Sequence, residues 1–156
     1  MIKMMEAPYP IILNLAKKNV AVIGGGKVAH RKIKKLLLAG VVPTVISPEL
    51  VANIDQAKIN WIQDIYRRKY VEEMDIIIAC TNDAQVNDRV KAEATHFQLV
   101  NNTSDKTNSD FYNLATLSSD DMFISISTMG KSPSVAKKMK NEIKEWVSKR
   151  FHKEFE

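Results

Sequence analysis

Three of the chain's five glycines stand side by side at Gly24-Gly25-Gly26, preceded by Val20-Ala21-Val22-Ile23 and followed by Lys27-Val28-Ala29. The spacing is G-x-G-x-x-A, set between a β-branched run and a leucine-rich helical pattern. That arrangement brings backbone amides against a pyrophosphate. Gly24 permits the tight turn, Gly26 withholds the Cβ that would block the phosphates, and Ala29 lets the helix lie close to the sheet. The amides of Lys27 and Val28 and the positive helix end then face the anion. A turn that merely joins strand to helix is the plainer alternative, and the position directly after a first strand argues against it. The pattern places no requirement on the middle residue, Gly25.

A dinucleotide also has a ribose to hold. NAD sites usually place a carboxylate about 20 residues beyond the glycines, at the end of strand two. Here that strand ends in Ile46-Ser47-Pro48, with Glu49 inside the following segment and no Arg close by to meet a 2′-phosphate. Ser47 or backbone amides are therefore the candidate ribose contacts, and NAD is the expected cofactor. The fourth strand ends at Cys80-Thr81-Asn82-Asp83. Thr81 and Asn82 sit at the carboxyl edge of the sheet, where open α/β sheets bind ligands. Asn82 or Asp83 also serves as the cap of the next helix, and Cys80 reads as a small buried residue.

The elements that position these residues follow from periodicity. Short β-branched runs occur at Val20 to Ile23, Thr44 to Ile46, Trp61 to Ile62 and Ile76 to Ala79, and "QLV" supplies a fifth. A helix is expected from Lys27 to Ala39, burying Val28, Ala29, Ile33, Leu36 and Leu37 and stopped by Gly40. "SPEL" predicts another, with Ser47 as cap and Pro48 at the first helical position. Val86, Val90 and Ala94 repeat at i, i+4, i+8 and predict a third. Strands alternating with helices imply a parallel sheet covered on both faces, an α/β Rossmann-type domain. After the polar loop "NNTSDKTNSD" the pattern becomes two strands joined by Ser118-Ser119-Asp120-Asp121, then a helix capped by Ser132 with Pro133 following. The expected division is a dinucleotide-binding domain over 1–104 and a hairpin-plus-helix subdomain over 105–156. A stripe of Val135, Met139, Ile143 and Trp146 or Val147 marks packing on that last helix, and so thin a subdomain is expected to dimerise through it.

Composition narrows the classes. With 156 residues and 45% apolar content the chain can build a core without staples. Cys80 is the only cysteine, which excludes an intrachain disulfide and a multi-cysteine zinc site, and His30, His96 and His152 lack metal-ligand spacing. The apolar run Ile11 to Leu15, interrupted by Asn14, is far short of the roughly 20 residues of a membrane span. A cytoplasmic protein without a membrane partner is expected. The net charge is +5, and Lys131 to Glu156 holds eight Lys or Arg against four Glu. Most of that excess is a solvated helix face, and without interleaved aromatics no nucleic-acid groove is expected. A polyanionic small molecule suits it better.

"YPIILNLAKKNVAVIGGGKVAHRKIKKLL", "ACTNDAQVN" and "FISISTMGKSPSVAKKMKNEI" resemble the opening, the fourth-strand motif and the hairpin-helix of the precorrin-2 dehydrogenase family. These are the NAD-dependent enzymes of sirohaem synthesis, found alone or within sirohaem synthase. The resemblance implies oxidation of precorrin-2 to sirohydrochlorin, with a hydride passing to the nicotinamide and a proton to a base. Such a tetrapyrrole carries many carboxylates, and the resemblance points to Ser127, Lys131 and Ser132 as residues that face it. Many members read N-x-x-D after the fifth strand. Here Asn101-Asn102-Thr103-Ser104 precedes Asp105, so the carboxylate is displaced by one position. Asp105 is the candidate acid/base, with turn formation its alternative role. His30 and His96 read as packed or solvated. Members that also insert ferrous iron typically extend into a further helical domain, so chelatase activity is not expected of a chain ending at Glu156. The competing reading is a non-enzymatic NAD-sensing regulatory domain, like the cytosolic ligand-binding domains of potassium transport systems. Such domains commonly end strand two in an acid, where this chain has Ser47.

Overall fold

A computed structural model of the chain describes residues 9–119, 121–129, 131–152, 154 and 155. They form two compact units, Ile12–Tyr112 and a second comprising Asn113–Glu156 with the described residues before Ile12. The larger unit contains β1 (Val20–Ile23), α1 (Lys27–Leu38), β2 (Thr44–Ile46), β3 (Asn60–Ile62), β4 (Ile76–Ala79), α2 (Ala84–Glu93) and β5 (Leu99–Asn102). The smaller contains β6 (Ala115–Ser118), β7 (Phe123–Ile126) and α3 (Pro133–Phe151).

The five strands of the larger unit are all parallel, in the order β3-β2-β1-β4-β5. The chain starts in the middle, steps outward to β3, then returns to the other side of β1. The strand order therefore reverses between β1 and β4, the place where such sheets bind ligands. Side chains alternate across the sheet. Val20, Val22, Val45, Ile76 and Ile78 pack with Ala29, Ile33 and Leu36 of α1. Ala21, Ile23, Ile46, Ile77, Ala79 and Val100 pack with Val90 of α2. Both faces are buried, so the strands read as continuous β-branched runs. Gly40 adopts φ +76° and ends α1, with its amide on the Leu37 carbonyl and that of Val41 on the Leu36 carbonyl.

The helix expected at "SPEL" does not form. Such a helix needs the Val51 amide on the Ser47 carbonyl, but that amide donates to the Gly25 carbonyl at 2.8 Å. The Ser47 carbonyl instead accepts from the Trp61 indole at 2.9 Å. Tertiary partners have taken both ends of the first helical bond, and only a short 3-10 turn, Gln56–Lys58, follows.

The fifth strand runs two residues past the expected "QLV", so that Asn101 and Asn102 lie inside it. Among the described residues its outward-facing backbone groups meet no sixth strand. The Val100 amide donates to Asp110 Oδ2 and the Val100 carbonyl accepts from the Asp110 amide, each at 2.8 Å. The Asn102 amide donates to Ser109 Oγ at 2.8 Å. Asp110 is itself tethered by Lys91 at 2.7 Å.

In the smaller unit β6 and β7 pair antiparallel, Ala115 opposite Ile126 and Ser118 opposite Phe123. The turn expected at Ser118 to Asp121 includes Asp120, which lies outside the described residues. Ser132 caps α3 by accepting from the Val135 amide. Leu117, Val147 and Phe155 form the core, and the Lys144 amine reaches the Phe155 carbonyl. The apolar stripe on α3 splits. Val147 is buried and Ile143 packs beside it, while Val135, Met139 and Trp146 are exposed within this unit.

Candidate functional site

The three glycines do three different things. Gly24 has φ +118°, and a Cβ there would lie 2.9 Å from the Cys80 carbonyl oxygen. It is the turn that lets β1 end against β4, at the reversal of strand order. Gly25 has ordinary backbone geometry, yet a Cβ there would overlap the Glu49 carbonyl oxygen and approach Ser47 Oγ to 2.7 Å and Leu50 Cδ2 to 2.9 Å. A Cβ on Gly26 would meet no atom within 4 Å. Gly26 is also the N-cap of α1, with no side chain capping the first turn and no acidic residue in it. Open space beside unpaired helix-start amides is the shape and polarity that a pyrophosphate fills, so the residues present fit a dinucleotide.

Lys27 is exposed and Val28 half-buried beside this opening. Ser47, the expected ribose contact, is buried, and its hydroxyl donates to the Glu49 carbonyl at 2.7 Å. With Trp61 on its carbonyl and Gly25 against its Oγ, Ser47 shapes the loop that lies over the glycines.

Across the reversal point, Thr81 and Asn82 follow β4. Asn82 is exposed, and Asp83 is the cap of α2, accepting from the amides of Gln85 and Val86. Thr81 is tied to Asn87, a fully buried residue of α2: the Thr81 amide donates to Asn87 Oδ1 at 3.0 Å, and Asn87 Nδ2 donates to the Thr81 carbonyl at 3.1 Å. Asp105 is exposed on the loop after β5. Its Oδ1 accepts from the Thr107 hydroxyl at 2.7 Å and the Thr107 amide at 2.8 Å. Those bonds, the hydroxyl's first, hold its carboxyl below the usual carboxylate range. Asp105 thus forms a turn and stays ionised at neutral pH.

Beneath this edge Lys32 of α1 donates to Asn101 Oδ1 at 3.0 Å. Burial pushes its amine down to about 8, against an opposing effect from the nearby Cys80. Burial likewise pushes the Cys80 thiol up to about 12, which makes it a packed thiol rather than a nucleophile. Among the described residues no group of three or more His, Cys, Asp or Glu could hold a metal ion.

In the smaller unit, Ser127 follows β7, and Lys131 and Ser132 stand at the head of α3, with Ser132 its cap. Ser127 Oγ accepts from the Met129 amide, and the Lys131 amide donates to the Thr128 carbonyl. Thr128 Oγ1 and Ser132 exchange hydrogen bonds at 3.0 and 3.2 Å. The Lys131 side chain is exposed at the head of α3.

Asn87, Asn102, Lys32 and the packing of Gly25 carry no local signal in the sequence. Each has a partner far along the chain, Lys32 at Asn101 across 69 residues, Asn87 at Ser104 across 17 and Asn102 at Asp88 across 14.

Residues 11–115 match the family described as "Putative NAD(P)-binding". The precorrin-2 dehydrogenase of Priestia megaterium is 33% identical over 139 residues, covering 86% of this chain and 69% of the relative. That of Bacillus subtilis (strain 168) is 30% identical over 138 residues, covering 86% of this chain and 85% of the relative. The solved structure of SirC, a precorrin-2 dehydrogenase, superimposes with TM-score 0.79 at 30% identity, covering 88% of this chain and 70% of that one.

Proposed function

The chain belongs to the precorrin-2 dehydrogenase family, and from that premise we propose that it oxidises precorrin-2 to sirohydrochlorin with NAD, in sirohaem synthesis. The observation that carries the reading is the open space at Gly26, beside the uncapped start of α1 and placed where the strand order reverses. Bound NAD supplies the hydride acceptor. The substrate gives up a hydride and a proton, and the rest of the chemistry belongs to the protein.

Gly26 and the amides of Lys27 and Val28 hold the pyrophosphate, while Ser47 keeps its loop over the adenosine side. Thr81 and Asn82 border the nicotinamide half. Lys131, with Ser127 and Ser132, binds substrate carboxylates, for which an exposed cation at a helix head is the suited partner. Asp105 takes the departing proton and passes it to solvent. A carboxylate held ionised by Thr107 is a weak base, so most of the acceleration comes from holding the two reactants together. Asp105→Asn should then lower kcat by about 100-fold, the low end of what a positioned base contributes.

The exposed Val135, Met139 and Trp146 on α3 support a homodimer formed through that face. Sedimentation equilibrium should return twice the chain mass, and Trp146→Lys should shift it toward the monomer. A cytoplasmic location is supported by the single unpaired cysteine and by the need for an NAD pool. No helix among the described residues is long and apolar enough to cross a membrane. The principal test follows sirohydrochlorin absorbance on mixing protein, precorrin-2 and NAD. The expected result is a NAD-dependent rise, and no acceleration over spontaneous oxidation would sink the assignment.

A further inference from the structure

The N-terminal turns of α2 carry two consecutive polar residues, Asn87 and Asp88, which the chemistry above does not use. Asn87 is fully buried, and its amide is saturated. Oδ1 takes the Thr81 amide at 3.0 Å and lies 2.8 Å from Thr81 Oγ1. Nδ2 donates to the Thr81 carbonyl at 3.1 Å and to Ser104 Oγ at 2.6 Å. One side chain thereby joins the segment after β4 to the loop after β5.

Asp88 holds the same loop at two more points. Its Oδ1 accepts from Asn102 Nδ2 at 2.8 Å and from Asn108 Nδ2 at 3.0 Å. Asn102 Oδ1 in turn accepts the amides of Ser104 at 2.9 Å and Asp105 at 3.3 Å. Residues 102, 104 and 108, which bracket Asp105, are all fixed from one helix end, and that same end fixes Thr81.

We propose that Asn87, seconded by Asp88, is a positioning residue that locks the Asp105 loop in register with the cofactor-bordering Thr81. The inference rests on the dehydrogenase reading, in which Thr81 borders the nicotinamide and Asp105 meets the substrate. A buried amide is suited to the task because it alone offers two donors and two acceptor sites in one plane. Leu would fill the volume and leave the Thr81 backbone groups unpaired, and Asp would lose both donors. A loop that drifts by about 1 Å at a reacting centre costs on the order of 100-fold in rate. The Gly26 opening lies on the other side of the reversal point and should keep its affinity.

The test uses the full chain with Asn87→Ala and with Ser104→Ala, the latter an exposed position that removes one strut without emptying the interior. Two quantities are read: amide deuterium exchange across residues 102–109 without cofactor or substrate, and the split between kcat and the KM for NAD. Asn87→Ala should raise exchange across the loop and lower kcat by roughly 10- to 100-fold, with KM for NAD within about threefold of the parent. Ser104→Ala should move both in the same direction by less. Unchanged exchange overturns the clamp. Raised exchange with unchanged kcat overturns its catalytic meaning, and so does a rise in KM for NAD with kcat intact. If Asn87→Ala does not fold, Ser104→Ala decides by the same criteria. A parent chain that turns over no precorrin-2 overturns the dehydrogenase reading by itself, and the exchange measurement still judges the clamp.

Discussion

Gly26→Asp should abolish measurable NAD binding while leaving the melting temperature of the protein within about 2 °C of the parent. The two halves of that result have separate causes. A Cβ at Gly26 meets no protein atom within 4 Å, so the new side chain costs little in packing. Gly26 does not have a positive φ either, so no backbone strain is introduced. Under the proposed function the phosphates occupy this same open space at the uncapped start of α1, and there a carboxylate would exclude the ligand by volume and repel it by charge. Two like charges about 4 Å apart near a surface repel by about 4 kcal/mol, which is close to a thousandfold in affinity. Calorimetric titration with NAD checks the first half and thermal unfolding the second. Unchanged affinity would mean that the opening is not the pyrophosphate site.

Its neighbour should behave in the opposite way. Gly25→Ala adds the smallest possible side chain, yet that methyl group would overlap the Glu49 carbonyl oxygen and crowd Ser47 Oγ and Leu50. The obstacle on one side is backbone, held by the Val51 amide on the Gly25 carbonyl, so no rotamer change relieves it. Overpacking of this kind costs about 3 kcal/mol, or roughly 10 °C in Tm for a chain of this length. Because the loop over the glycines is displaced, NAD affinity falls as well, as a consequence of the altered fold. Denaturant unfolding of Gly25→Ala and Gly26→Asp side by side separates the tightly packed glycine from the one beside open space. Equal stability for the two variants would contradict the packing of the 47–51 loop against Gly25.

That pair also shows how far the sequence could be read. The glycine motif and its position between strand and helix are local, and so are the β-branched runs, the Asp83 and Ser132 caps and the Gly40 stop. All of these are visible because short-range sterics and hydrogen bonding decide them. The motif places no requirement on Gly25, because its partner is a loop more than 20 residues away that no periodicity announces. The "SPEL" signal failed for the same reason: its capping chemistry is sound, but Trp61 and Gly25 claim the backbone groups that a first helical turn would use. Asn87, Asn102 and Lys32 look like surface residues in a linear string, and the pairings with Ser104, Asp88 and Asn101 that join separate segments are tertiary. The exposure of Val135, Met139 and Trp146 likewise divides a stripe that periodicity alone presents as one packing face.

The return of residues 109 and 110 along β5 has a consequence for the chain's behaviour in a crowded solution. A parallel sheet built mostly of valine and isoleucine offers, at a bare outer strand, a template onto which another chain can add by backbone pairing, the first step of aggregation. Here the Val100 amide and carbonyl are already spoken for by Asp110, and Ser109 occupies the Asn102 amide. An incoming strand would have to evict a carboxylate anchored by Lys91. The segment that leads away from the Asp105 loop thus closes the β5 edge of the sheet to an added strand.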